Sequence, residues 1–326
     1  MVVLAAILAV LGPAVPSYAD PTGTDSEGGT KTLREKLEQA ATGYYDAKVT
    51  LTASQKRQVE ITKRLRQAEI ALVRLNTQVG TIAAARYKGS QLGVLNSLML
   101  SRNVSTSTFL QGAAVAEYLV WRDDEQLRLY RLAKEESKHQ QELLAGELAL
   151  QQKQLGEMDK QKRAAEKALA AVGGMVTAGY SGPVPEAQPA PRTASGGWPR
   201  ESCSINDPTS GGCLTPRMYH ALNEARLAGF RRFVHCWRSQ SWGEHPRGRA
   251  CDFSVSQNNF AGVATGEAKT YGNRLAAWCR TNAEALGVLY VIWYRQIWMP
   301  GIGWRSYSGY GDPSSEHTNH VHLSIL

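Results

Sequence analysis

Between Pro21 and Pro183 the chain has no proline, and before Cys203 it has no cysteine. The first absence permits very long uninterrupted helices. The second confines any disulfide to the last third or so of the chain. Beyond residues 2–12 no run is apolar enough to cross a bilayer, so the mature chain is not expected to span a membrane. Lys and Arg are scattered along helical stretches and do not cluster with aromatics. The net charge of +8 and the pI near 9.2 therefore carry no nucleic-acid signature. They leave a membrane surface or acidic wall polymers as anionic partners, although a solvated helix surface accounts for most of the charge.

Residues 2–12 are almost wholly apolar and too short for a transmembrane helix. Ser17-Tyr18-Ala19 puts small residues where signal peptidase inspects them. Residues 1–19 thus read as a secretory signal, followed by a disordered Gly/Ser/Thr/Asp-rich stretch at 20–30. No Lys or Arg precedes the apolar run, which leaves open a start inside a longer signal. The expected location is secreted, extracellular or cell-wall associated. In that compartment five cysteines are disulfide formers before they are metal ligands, and an odd count leaves at least one thiol unpaired. Cys203 with Cys213 is the favoured local loop. Cys236 with Cys279 is the second expected pair, which leaves Cys251 buried.

From Lys31 the pattern changes. Leu65, Ala68, Leu72, Leu75, Val79 and Ile82 follow alternating steps of three and four, a heptad seam. This predicts one helix at about 32–88 and a second at about 113–171, with Leu144, Leu148, Leu155 and Met158 on one side. Residues 89–112 break the period with Gly89, Gly93 and a Ser/Thr cluster, yet stay apolar from Leu92 to Leu110. The expected architecture over 31–171 is an all-α antiparallel coiled-coil hairpin. Residues 172–197 carry four prolines among Gly, Ala and Ser and read as an unstructured linker.

The remainder, 198–326, holds seven of the eight tryptophans, as a compact domain with a dense core would. Thr215-Pro216 marks a helix start and Gly229 its end. A second helix is expected from Glu267 to Leu286. Strands are expected near 232–238, 250–255, 288–298 and 320–325. The result is a small α+β domain with an antiparallel sheet.

Its chemistry rests on His245, Asp252 and the pair His320-Val321-His322. Two histidines and a carboxylate are the ligand set of an open zinc site, in which three protein ligands leave one position for water. Side chains alternate along a strand, so His320 and His322 share a face, as do Ala250, Asp252 and Ser254. Cys251, Phe253 and Val255 then point into a core. Two such strands side by side would bring Asp252 to His322, with His245 supplied from the turn holding Gly248.

The run from Glu244 to Asp252, with His320-Val321-His322 and the ending from Asp312 to Ser324, resembles zinc peptidases of the D-alanyl-D-alanine carboxypeptidase and lysostaphin superfamily. The nearest likeness is to the VanY-like C-terminal domains of actinobacterial secreted proteins. The resemblance covers 198–326. It implies Zn2+ held by His245, Asp252 and His322, and a peptidoglycan stem peptide as substrate. It implies that His320 polarises or protonates the reacting amide, and that Arg238 holds a substrate carboxylate or the oxyanion; a surface cation or an ion-pair partner is the alternative for Arg238. The carboxypeptidases place a glutamate base where this chain has Asn319, which cannot accept a proton. His320 or Glu316 would then serve, with Asp312 and His317 also near. The hairpin resembles the coiled coils of secreted wall hydrolases, which hold the enzyme off and engage a membrane transporter complex of the FtsE–FtsX kind. Two functions follow: a secreted zinc peptidase regulated or positioned by its coiled coil, or an inactive wall-binding or hydrolase-regulating protein that keeps the fold.

Overall fold

The computed structural model describes residues 29–88 and 105–326. The expected signal and most of the stretch after it, as well as most of the apolar tip, lie outside the described residues. Two long helices lead: α1 (Lys31–Tyr87) and α2 (Thr106–Ala170). No proline interrupts either. Thr50–Gly156 forms one compact unit. Within it the less exposed positions of α1 run Leu51, Ser54, Gln58, Ile61, Leu65, Ala68, Leu72, Leu75, Val79, Ile82, a continuous heptad seam.

The matching seam of α2 differs from the expected stripe. Leu144 is half-buried, but Leu148 and Leu155 are 48% and 55% exposed. Their places in the seam belong to Glu147, Gln151 and Gln154. The seam is polar here and bonded across: Ser54 Oγ donates to Glu147 at 2.5 Å, Arg57 pairs with Glu147 at 2.7 Å, and Gln151 donates to Gln58 at 2.8 Å. Leucine spacing alone could not find a seam built from glutamine and glutamate.

The other unit joins the hairpin's base, up to Val49 and from Glu157, to everything that follows. A two-stranded ribbon, β1 (Ile205–Asn206) and β2 (Cys213–Leu214), precedes α3 (Pro216–Leu227). Thr215 caps α3, its hydroxyl accepting from the Met218 amide at 3.2 Å. Then come β3 (Val234–His235), β4 (Ala250–Ser254), α4 (Gly266–Thr281), α5 (Ala283–Leu286), β5 (Val288–Trp293), β6 (Gln296–Met299), β7 (Gly303–Ser306) and β8 (His320–Ile325). The sheet order is β3-β4-β8-β5-β6-β7, antiparallel throughout.

Two expected elements are each split. The strand 288–298 is a hairpin turning at Tyr294 and Arg295, both at positive φ (49° and 63°), as a two-residue turn requires. The helix 267–286 breaks at Asn282, whose side chain accepts from the Ala187 amide (2.8 Å) and donates to the Pro185 and Trp278 carbonyls. The expected linker is therefore an extended strap along the domain. Gln188 N bonds Glu224 at 2.7 Å, Ala190 N bonds the Ala285 carbonyl at 2.9 Å, and Tyr180 meets Trp304 edge-on at 5.2 Å.

The sheet is covered on both faces. Cys251, Phe253, Val291, Trp293, Val321 and Leu323 pack with Met218, Leu222, Leu275 and Trp278 of the short helices. Tyr290, Ile292, Ile297 and Met299 pack with Leu33, Leu37, Ala40 and Ala41 of α1 and Ala165, Ala168 and Leu169 of α2. By alternation His320 and His322 face this second side. Tyr45 anchors the base, donating to the Ala283 or Val288 carbonyl (3.1 and 3.0 Å).

Cys203 and Cys213 form one disulfide and Cys236 and Cys251 the other. The second corrects the expected Cys236–Cys279 pair. The β3–β4 register pairs Val234 with Phe253 and His235 with Asp252, which carries Cys236 opposite Cys251. Cys279 lies buried and free on α4. Two disulfides fit an oxidising, extracellular-type environment. Among the described residues no helix is long and apolar enough to cross a membrane.

Candidate metal centre

Three elements build the site. β4 and β8 are neighbours, and their register sets Asp252 directly opposite His322. His245 comes from the turn between β3 and β4. That turn closes on Gly248, at φ +68°, where a Cβ would sit 2.7 Å from the Cys213 carbonyl oxygen. The Cys236–Cys251 disulfide holds the root of this turn, and Cys236 supplies the carbonyl that faces His245 Nδ1.

His245, Asp252 and His322 are buried, and one ligand atom from each lies within 4.8 Å of the others. His245 Nε2 is 3.3 Å from His322 Nδ1 and 3.3 Å from Asp252 Oδ2; His322 Nδ1 is 2.8 Å from Asp252 Oδ1. Tetrahedral bonds of about 2.0–2.1 Å place ligand atoms roughly 3.3 Å apart, which is the spacing of the two histidine nitrogens, and each nitrogen faces one oxygen of the Asp252 carboxylate. Outer partners choose the nitrogens. The Cys236 carbonyl can only accept, so His245 carries its proton on Nδ1 and turns the Nε2 lone pair to the common point. His322 Nε2 bonds Ser324 Oγ at 2.7 Å, which leaves Nδ1 for the ion. The residues therefore fit a divalent metal ion.

Charge favours the same reading. Burial alone would raise the Asp252 pKa, but the neighbouring His245, His320 and Arg238 outweigh it and hold the carboxylate well below its usual range. Arg238, expected to hold substrate or to serve an ion pair, is buried and ion-paired to Asp252 Oδ2, with Gln240 accepting from its Nε at 2.8 Å.

His320 stands beside the triad, its Nε2 3.4 Å from Asp252 Oδ1. Asn319 sets its tautomer. The Asn319 amide nitrogen donates to the Ala261 carbonyl at 2.9 Å and to Ser314 Oγ at 3.1 Å, so its oxygen must face His320 Nδ1, 2.7 Å away. The proton is on Nδ1, and Nε2 is the acceptor. Glu316 is ion-paired to Arg295 at 2.9 Å, at the β5–β6 turn. Asp312 accepts from the Ser314 and Ser315 amides, both at 3.0 Å, as a turn residue does.

His317 adds what sequence reasoning did not separate from its neighbours. Its ring lies 4.8 Å from that of His320 and 5.7 Å from that of His322. Nδ1 donates to the Ser315 carbonyl at 3.1 Å, while the buried Nε2 has no hydrogen-bond partner among the described residues. Tyr290 stacks on His322, centroids 5.6 Å apart and planes 9° apart. Neither has a spacing signal. Ser324 had one, since it shares a strand face with His320 and His322.

Residues 210–320 match the family model described as VldE, C-terminal domain. This VldE-like stretch is about a third of the chain, follows the helical hairpin, and holds His245, Asp252 and His320. It stops two residues short of His322. Its description names no activity. No curated protein and no solved structure matches the chain.

Proposed function

We propose that this chain is a secreted, zinc-dependent peptidase of peptidoglycan stem peptides, a D,D-carboxypeptidase or endopeptidase whose hairpin base controls access to the site. One observation carries the reading. One ligand atom each of His245, Asp252 and His322 lies within 4.8 Å of the others, the two histidine nitrogens stand 3.3 Å apart, and the second nitrogen of each ligating histidine is tied elsewhere. A divalent ion in that set would polarise a scissile carbonyl and acidify a water. His320 Nε2, held as an acceptor, would take the proton of an attacking water and, once protonated there, would face the developing oxyanion or leaving amine. Arg238 keeps Asp252 ionised as a ligand.

Control by the hairpin base draws support from the packing of α1 and α2 on the sheet face that carries His320 and His322. Peptidoglycan as partner, and contact of the hairpin tip with an FtsE–FtsX-type transporter complex, stand on the sequence resemblance. One feature favours the inactive alternative: Asn319 occupies the glutamate position and works as a positioning amide.

The test has two stages. The full chain should bind one equivalent of Zn2+, and His322→Ala and Asp252→Asn should abolish stoichiometric binding. The loaded protein, and its Arg34→Ala variant, which removes a buried α1 side chain lying over the Tyr290 ring beside His322, should release D-alanine or cut cross-linked muropeptides. Stoichiometric zinc with wall binding and no cleavage by either protein would establish the inactive reading.

A further inference from the structure

The first turns of α1 place a cation against the candidate metal centre. Leu33, Leu37, Ala40 and Ala41 are the apolar residues of this stretch that pack on the sheet, and Arg34 is buried among them at 3% exposure. Its guanidinium carbon lies 4.9 Å from the Tyr290 ring centroid and 5.4 Å from that of Tyr307. Tyr290 stacks on His322, and Tyr307 meets His317 edge-on at 6.3 Å. Both rings are themselves buried. One cation therefore sits over two aromatic faces, each resting against a histidine of the site. Taking a cation out of water is costly, and two ring faces are a compensation suited to a cation.

The segment that delivers Arg34 is held by charge as well as by packing. One turn on, Glu38 pairs with Arg249 at 2.5 Å and Arg247 at 2.9 Å. Those arginines lie between His245 and the start of β4, and both also pair with Glu244. Part-exposed ion pairs weaken with salt. The closure is thus one that an ionic partner could loosen.

We infer that Tyr290 and Tyr307 form a cation-binding subsite of the metal centre, filled in this state by Arg34 of the chain's own first helix. The ligand admitted when the start of α1 withdraws places an alkylammonium or guanidinium there. The subsite stands on geometry alone. That its ligand is a peptide substrate rests on the peptidase reading.

The test uses the full chain in excess chelator, so that no metal is involved. Arg34→Ala should bind n-propylguanidinium at least tenfold more tightly than the neutral isostere n-propylurea, and at least tenfold more tightly than the unaltered chain does. Adding Tyr290→Leu should remove the binding. Equal binding of the urea, no binding by the folded variant, or equal binding by the unaltered chain would overturn the subsite. Should Arg34→Ala fail to fold, Arg34→Lys and Arg34→Met decide: a cation site keeps the lysine variant the more stable, and a methionine variant as stable as the native chain refutes it. With zinc present, a stem peptide bearing lysine should outcompete its norleucine analogue for Arg34→Ala. Guanidinium binding with neither peptide bound or cut would keep the subsite and remove the peptidase.

Discussion

His317 shows how one buried ring reports on the whole site. It sits at a left-handed φ of 51°, a strained backbone for a residue with a Cβ. Burial, then the neighbouring His320, His322 and Arg34, disfavour its cation and hold its pKa well below 6.5. In the unfolded chain it titrates near 6.5. Below that pH the unfolded chain binds a proton that the folded one refuses, so stability is complete above about 6.5 and falls with pH beneath it. We predict that the denaturation midpoint of the metal-free protein drops as pH falls below about 6.5, and that His317→Asn flattens part of the slope. An unchanged slope in the variant would mean that the imidazole is not kept neutral by folding. Asp252 and His322 were legible in the sequence because strand alternation and one register suffice to bring them together, and His245 because the turn holding Gly248 leads directly into that strand. Arg34 and Tyr290 were not, since nothing local joins a residue of the first helix to a strand more than two hundred positions later.

At the level of elements, legibility followed length. The six-residue strands β5 and β8 announce themselves by unbroken apolar or alternating runs. β3 has two residues, too few to reveal its register, and the Cys236 partner was misjudged for that reason. The hairpin seam was readable on α1, where leucines fill it, and misread on α2, where Glu147 and Gln151 do. The Cys236–Cys251 bridge closes a loop of about fifteen residues around His245. Such loops contribute about 3 kcal/mol, largely by restricting the unfolded chain. Replacing both cysteines by alanine should cost that much in urea denaturation and also weaken zinc binding, because the Cys236 carbonyl orients His245. Cys279→Ala, which breaks no bridge, should leave zinc affinity unchanged. If the double variant loses stability but binds zinc normally, the disulfide is a staple without a role in the site.

For the whole molecule, the division into units says which parts can be separated. The boundary between hairpin and domain suggested by the proline-rich stretch falls at 172–197, whereas the compact unit also takes in the helix ends up to Val49 and from Glu157. The reason is the second sheet face. Tyr290, Ile292, Ile297 and Met299 are each under 2% exposed, covered by Leu33, Leu37 and Ala168 among others. At about 1.5–3 kcal/mol for each large apolar side chain, uncovering these four would cost roughly 6–12 kcal/mol, comparable to the whole stability of an ordinary domain. Residues 198–326 alone should therefore be poorly soluble or bind a hydrophobic dye strongly, with a shallow thermal transition. A chain lacking Thr50–Gly156, with α1 rejoined to α2 by a short glycine-serine turn, should stay monodisperse, melt cooperatively and bind one zinc. The comparison is decisive because both shortened chains keep His245, Asp252 and His322. If the isolated 198–326 segment proves as stable as the shortened chain, the helix ends are not part of the folded unit, and neither the covered sheet face nor the placement of Arg34 describes the protein in solution.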